Sequence, residues 1–424
     1  MYWLSKRHVS ASGRIQVNPV FALLAGSTYY VVLPCIFVGH FNDLVSGITV
    51  YDAYFTAGNA AFVSFFWALV LVALGLGLNV TDPARGRRLV RATTVQAGSA
   101  QPARWAFASL CAAFALMLLT ALSIRDSLFA GYDEYVLLDD AVWQARGTMS
   151  SLYSVMAVLQ LALLLRHGKA ALAPGMRLSM LLIFVVSSAL LLSLGARLYV
   201  IMALLSVVAL YAQRKGGIRL IRLLTLVVLA FSVFGAIGVL RAGEVGGLTT
   251  ILLNVATEPM LTSISMFSVI TDNAVPLIGK PYLFPADFQA VLPSVLFPGK
   301  AMLFDRLSDY GYDFEAPLGG YHVVFSMLIN FGVLGSLLAA FVAGLALGRL
   351  ARRQRDDPGC ALWSLCSASL TGMLAFSIFR DPFFISLVKN VLVVSVAVPW
   401  LVDRWAFRRQ GVRGAGLSSR FSAA

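Results

Sequence analysis

The sequence predicts an all-α, polytopic integral membrane protein of about ten transmembrane helices with one large loop outside the membrane. Three observations predict it. Of the 424 residues, 59% are hydrophobic and 12% are charged, whereas a soluble domain carries roughly 25% charged residues. The mean hydropathy is +0.81. Apolar runs of about 20 residues recur along the chain, each long enough to cross a ~30 Å hydrocarbon core as a helix. Lipid offers the backbone no hydrogen bonds, so such runs must be helical.

The elements follow in order. The N-terminal segment MYWLSKRHVSASGRIQVNPVF is basic but lacks the short apolar core and small-residue cleavage site of a removable signal. The first span, 19–39, is therefore expected to remain as an anchor. Further spans are expected at 57–80, 105–124, 149–165, 178–195, 198–212, 223–240, 323–347, 361–378 and 382–402. The four cysteines (Cys35, Cys111, Cys360 and Cys366) lie in or beside apolar runs and form no C-x-x-C. That pattern suits neither a disulfide framework nor a thiolate zinc site.

Charge gives the orientation. With these spans, the N-terminus, the loops near 81–104, 166–177, 213–222 and 349–357, and the tail from 403 hold 24 basic and 4 acidic residues. The opposite side holds the other 9 basic residues and 16 of the 20 acids. The positive-inside rule then places both termini in the cytoplasm. The excess of positive charge thus reports topology, not nucleic-acid binding. Basic blocks such as RLARRQR (349–355) have no interleaved aromatic platform for bases, and their ordinary role is to anchor helix ends at anionic lipid.

Two outer segments are expected, a small loop at 125–150 and a large one at 241–322. Pro276, Pro281, Pro285, Pro293 and Pro298 break any long helix in the second half of the large loop. Its aliphatic and aromatic content is too high for a disordered linker, so it is expected to be partly helical and packed on the outer membrane face.

The outer helix ends carry arginines. Arg197 lies in a turn, LLSLGARLYVIM, too short for a soluble loop. Arg241 ends the seventh span, Arg380 and Asp381 form the last outer turn, and Arg125 and Arg146 bracket the small loop. One such arginine reads as a side chain snorkelling to the interface. Several together suit a diphosphate at headgroup level, because a guanidinium matches phosphate oxygens bidentately and keeps its charge. Lys389 lies inside the tenth span, facing either a polar cavity or, by snorkelling, the outer surface. Glu258, followed by Pro259, reads either as a helix-start carboxylate or as a general base or sugar ligand. The acids and tyrosines of LFDRLSDYGYDFEAP describe either a sugar-binding patch or a solvated loop. His322 stands where that loop meets the eighth span, as a boundary residue or a base of suitable pKa. No P-loop, HExxH or cytoplasmic Asp-x-Asp pattern is present. An enzyme built on this chain would use an activated lipid substrate rather than a nucleotide.

Three segments in order, GARLYV (195–200), LPSVLFPGK (292–300) and GGYHVVFSMLINFGVLG (319–335), resemble the Wzy-type O-antigen and exopolysaccharide repeat-unit polymerases. These are a short outer turn with an arginine, a proline–lysine segment closing the large loop, and a glycine–histidine start to a span with FGxxG. The resemblance covers roughly 190–400. Related O-antigen ligases place a polar residue after the histidine, where Val323 stands here, and this favours polymerase over ligase. The resemblance implies the all-helical C-type membrane glycosyltransferase architecture and a metal-independent transfer without a cofactor. It implies a bacterial inner-membrane location with the active site in the periplasm.

The implied substrates are lipid-linked oligosaccharides. The growing chain on undecaprenyl pyrophosphate would be passed to the hydroxyl of a new repeat unit. Arg197, Arg241 and Arg380 would hold the pyrophosphate, and His322 or Glu258 would take the proton. Arg146, Lys300, Arg306, Tyr310 and Tyr321 would contact sugars. Implied partners are membrane lipids, a chain-length regulator and a flippase, and no nucleic acid. The alternatives are a ligase that delivers glycan to a lipid A core and a polysaccharide flippase or transporter.

Overall fold

A computed structural model describes residues 14–40, 49–81, 101–128, 140–241, 248–279, 313–316, 321–357, 360–381 and 383–406. Within them, ten helices are long and apolar enough to cross a membrane, and each coincides with an expected span. They are α1 (Pro19–Ile36), α2 (Ala57–Thr81), α3 (Gln101–Ser123), α4 (Asp140–Ala171), α5 (Pro174–Ser193), α6 (Arg197–Lys215) and α7 (Leu220–Arg241), then α9 (Val323–Asp356), α10 (Ala361–Arg380) and α11 (Ser386–Arg404). The protein is a multi-pass, all-α membrane protein. An eleventh helix, α8 (Leu248–Asp272), lies in the large loop.

Local chemistry fixes the ends. Asn18 caps α1 by accepting from the Phe21 N–H at 2.9 Å, with Pro19 in the first turn. Gly195, at φ 70°, closes α5 and sends the chain straight into α6, while the Ala196 N–H donates back to the Leu191 carbonyl at 2.8 Å. At the other end of α6, Gly216 takes φ 66° and the Gly217 N–H donates to Ala212 at 2.7 Å. A short antiparallel ladder joins β1 (Arg14–Ile15) to β2 (Ile218–Arg219) there.

Helix α10 is the centre of the bundle, with 83% of its apolar stretch buried, whereas α7, at 12%, is the least buried span among the described residues. Small residues bring backbones together. A side chain on Gly77 of α2 would run into the Phe341 carbonyl of α9, and one on Gly344 of α9 into the Leu74 carbonyl of α2. Gly26 on α1 and Gly372 on α10 serve the α1–α10 and α6–α10 contacts in the same way.

Three features differ from expectation. The small outer loop is shorter than 125–150, since α4 already begins at Asp140 and puts Arg146 on a helix. Pro259 lies inside α8, so Glu258 is a mid-helix residue and not a helix-start carboxylate. Finally, α9 is broken at Gly332, which has φ 65° and ψ −169°. Sequence spacing alone makes this glycine a helix-packing residue. Instead, segment 276–279 enters the break: Val333 and Leu334 donate to the Pro276 and Leu277 carbonyls at 3.1 and 3.0 Å. Gly279 lies so close to Gly332 that neither has room for a Cβ. The half-helix before the break, 323–331, is buried at every position from Val323 to Asn330.

Candidate functional site

Two prolines explain how the site is tied together. Proline lacks an N–H, so in a helix the carbonyl four residues earlier loses its usual donor. Pro259 frees Val255 in this way, and the Tyr29 hydroxyl donates to the Val255 carbonyl at 2.5 Å. Pro34 frees Tyr30, and the Tyr30 carbonyl accepts from His322 Nε2 at 3.0 Å. Both tyrosines lie in a π-helical turn of α1, Thr28–Val32, a distortion that favours functional sites. Side chains from α1 and the start of α9 thus fill the gaps that proline opens, and α8 is locked against both. Met260, Ile264, Met266 and Phe267 of α8 are buried in the same core as Tyr30, Val323 and Val324.

Glu258 is the centre of this junction. Its Oε1 accepts from the Tyr30 hydroxyl at 3.2 Å and pairs with Arg380 Nη1 at 3.2 Å, and its Oε2 pairs with Arg197 Nη2 at 3.4 Å. The side chains of Glu258, Arg197 and Arg380 are 14%, 26% and 29% exposed, so the group is half sheltered from solvent. Burial would raise the proton affinity of Glu258, but the Arg380 and Arg197 charges outweigh it and hold the carboxyl below the usual range. Arg197 is the first residue of α6, where the helix dipole disfavours a cation. Glu258 compensates for that placement.

Tyr199, one turn into α6, extends the cluster. Its hydroxyl lies within hydrogen-bonding reach of Ser150 and within electrostatic range of Asp381, Arg146 and Arg380. The Lys389 ammonium sits 5.8 Å from the centre of the Tyr199 ring, which places it in the polar junction rather than in lipid. Lys389 belongs to a second π-helical stretch, Ser386–Ala397. At the base of that stretch the Ser377 hydroxyl donates to Asp381 at 3.2 Å.

His322 is fully buried. Its Nδ1 accepts from the Val324 N–H at 3.1 Å as the N-cap of α9, and its backbone N–H donates to the Ser265 hydroxyl at 3.0 Å. With Nε2 donating to Tyr30, both ring nitrogens are engaged. Burial pulls its pKa down to about 4, which the Tyr30 hydrogen bond only partly opposes. In this arrangement the imidazole has no lone pair to offer a substrate.

Of the residues singled out in the sequence, Glu258, Arg197, Arg380, Arg146 and Lys389 come together. Tyr321 adjoins them through its backbone N–H, which donates to the Arg380 carbonyl at 3.0 Å, while its ring packs with Phe314 and Phe325. Arg241 is the last residue of α7, and its side chain lies outside the described residues, as do Lys300, Arg306 and Tyr310. Tyr29, Tyr30 and Tyr199 carry no charge that marks them in the sequence. The signal available for the first two was the polar pair in TYYVVLP, five and four residues before a proline. No protein-family model, curated protein or solved structure matches the chain.

Proposed function

We propose that the protein is a glycosyltransferase that polymerises lipid-linked oligosaccharide repeat units at the periplasmic face of a bacterial inner membrane. The observation that carries this reading is that two guanidinium groups from the ends of different spans meet on one sheltered carboxylate, with Arg146 and Lys389 close by. Such a set is built to exchange an internal anion for an external one, and a lipid pyrophosphate at headgroup level has the charge and the oxygen geometry to take that place.

In the proposed reaction, the hydroxyl of the incoming repeat unit attacks the anomeric carbon of the growing chain. The new glycosidic C–O bond forms as the bond to the pyrophosphate breaks, and the pyrophosphate leaves with that electron pair. Arg197 and Arg380 move from Glu258 to the phosphate oxygens and offset the charge that develops there. Glu258 then keeps only the Tyr30 hydroxyl as partner. Without its cations, burial raises its proton affinity, and it becomes the acceptor for the hydroxyl proton. Among the two bases expected from the sequence, this favours Glu258, with His322 holding the start of α9 in place. Tyr321, at the end of the large loop, is tied to Arg380 through its backbone N–H.

The test is direct. Purified protein given its lipid-linked repeat unit should produce a ladder of longer glycans. Arg380→Ala and Arg197→Ala should each abolish the ladder while the protein still reaches the membrane. An undiminished ladder in both variants overturns the assignment.

A further inference from the structure

The end of the bundle opposite Glu258 holds a second charged site. There the turn between α6 and α7 and the N-terminal strand border a half-open cavity of about 250 Å³, lined by Arg14, Lys215, Arg219 and Arg222 with Tyr211, Gly217 and Ile218. Among the described residues, none of those lining it is acidic. Its architecture is specific. Arg14 and Arg219 are directly paired residues of the β1–β2 ladder, and like charges opposite each other in a ladder are destabilising. Arg14 Nη1 also donates to the Lys215 carbonyl at 2.8 Å, which keeps the strand over the helix end. The strand can approach because residue 217 is glycine: φ there is 108°, and a Cβ would press on Arg14 and the Ile15 carbonyl. Four cations, from β1, the end of α6, β2 and the start of α7, therefore border one space that suits a bound anion.

We infer that this pocket binds the phosphate headgroup of an anionic glycerophospholipid. The lipid, rather than a soluble phosphate, is indicated by what adjoins the cations. Leu220, Ile221 and Leu224, in the first turns of α7, are 51%, 69% and 49% exposed, on the span with the least burial in the bundle. A headgroup among the arginines thus places its acyl chains along a bare apolar helix face. Basic pockets between span ends are a recurring solution for anionic lipid headgroups.

Native mass spectrometry of the full chain, delipidated and titrated with phosphatidylglycerol or phosphatidylcholine, tests the assignment. The wild type should retain phosphatidylglycerol in preference to phosphatidylcholine. Each basic residue near a membrane surface contributes about fivefold in affinity, so Arg219→Gln with Arg222→Gln should weaken phosphatidylglycerol binding roughly 25-fold. Arg352→Gln with Arg355→Gln, at the polar end of α9, should leave it unchanged. Should the first double variant not fold, Arg222→Gln alone, outside the strand pairing, should cost about fivefold. Equal retention of the two lipids, or unaltered binding in the Arg219 and Arg222 variants, overturns the site. Displacement of the lipid by millimolar inorganic phosphate in place of a second lipid overturns the lipid assignment and leaves a soluble phosphate as the ligand.

Discussion

Replacing Glu258 by glutamine removes the shared charge of the arginine pair while keeping the shape of the side chain and an acceptor for Tyr30. Each guanidinium–carboxylate contact, at 3.2 and 3.4 Å, has a gross attraction of about 5 kcal/mol at an effective dielectric constant of about 20. Desolvation of three charges offsets much of this. Removing one partner from a buried pair costs roughly 3–5 kcal/mol, and the partial exposure of both arginines puts Glu258→Gln near the lower end, about 3 kcal/mol. For a chain of 424 residues, with an unfolding entropy of about 2 cal/mol/K per residue, that corresponds to a melting point lowered by about 3 °C. The variant also leaves Arg197 and Arg380 without their carboxylate. Inorganic pyrophosphate at 100 times its dissociation constant should then return about 2.7 kcal/mol, close to the whole loss. Differential scanning fluorimetry in detergent, with and without pyrophosphate, reads both quantities. The expected result is a lower melting point, a larger pyrophosphate shift than in the wild type, and no glycan ladder. A variant that melts like the wild type and responds equally to pyrophosphate would refute the anion exchange.

Other outcomes can be measured alongside it. The imidazole of His322 titrates near 4 in the fold against 6.5 in the open chain, so below pH 6.5 the unfolded chain binds a proton that the native state lacks. The contribution of His322 to stability is therefore complete above pH 6.5 and falls by about 3 kcal/mol as the pH drops to 4. His322→Asn, which keeps a capping acceptor, should flatten this fall in a pH series of melting points and retain at least a tenth of the transfer rate. A loss beyond a hundredfold in folded protein would return His322 to the role of base. Gly332→Ala should cost more than about 2 kcal/mol, because φ 65° with ψ −169° is a backbone region that essentially only glycine adopts and the methyl would strike the Gly279 backbone; a melting point within 1 °C of wild type, equivalent to only about 1 kcal/mol for a chain of this size, would count against the backbone contact at the break.

By itself the sequence determined the helices and their alternation. Each needs only a run of apolar side chains and a backbone that satisfies its own hydrogen bonds in lipid, and both are local properties. Arg197 and Arg380 were legible as functional candidates because a cation beside a span is costly wherever the helix goes. Their convergence was not legible, since Glu258 is 61 residues from Arg197 and 122 from Arg380 along the chain, and nothing in the spacing brings them together. The roles of Pro34 and Pro259 were hidden for the same reason. A proline announces a freed carbonyl, but only the packing of α1, α8 and α9 shows that Tyr29 and His322 occupy those carbonyls. Gly332 is the sharpest case: its neighbours fit a continuous span, and the break exists because Pro276 and Leu277 replace the missing helical acceptors. Composition and period fixed what each segment is, whereas the contacts between distant segments decided which polar groups meet and which are already spoken for.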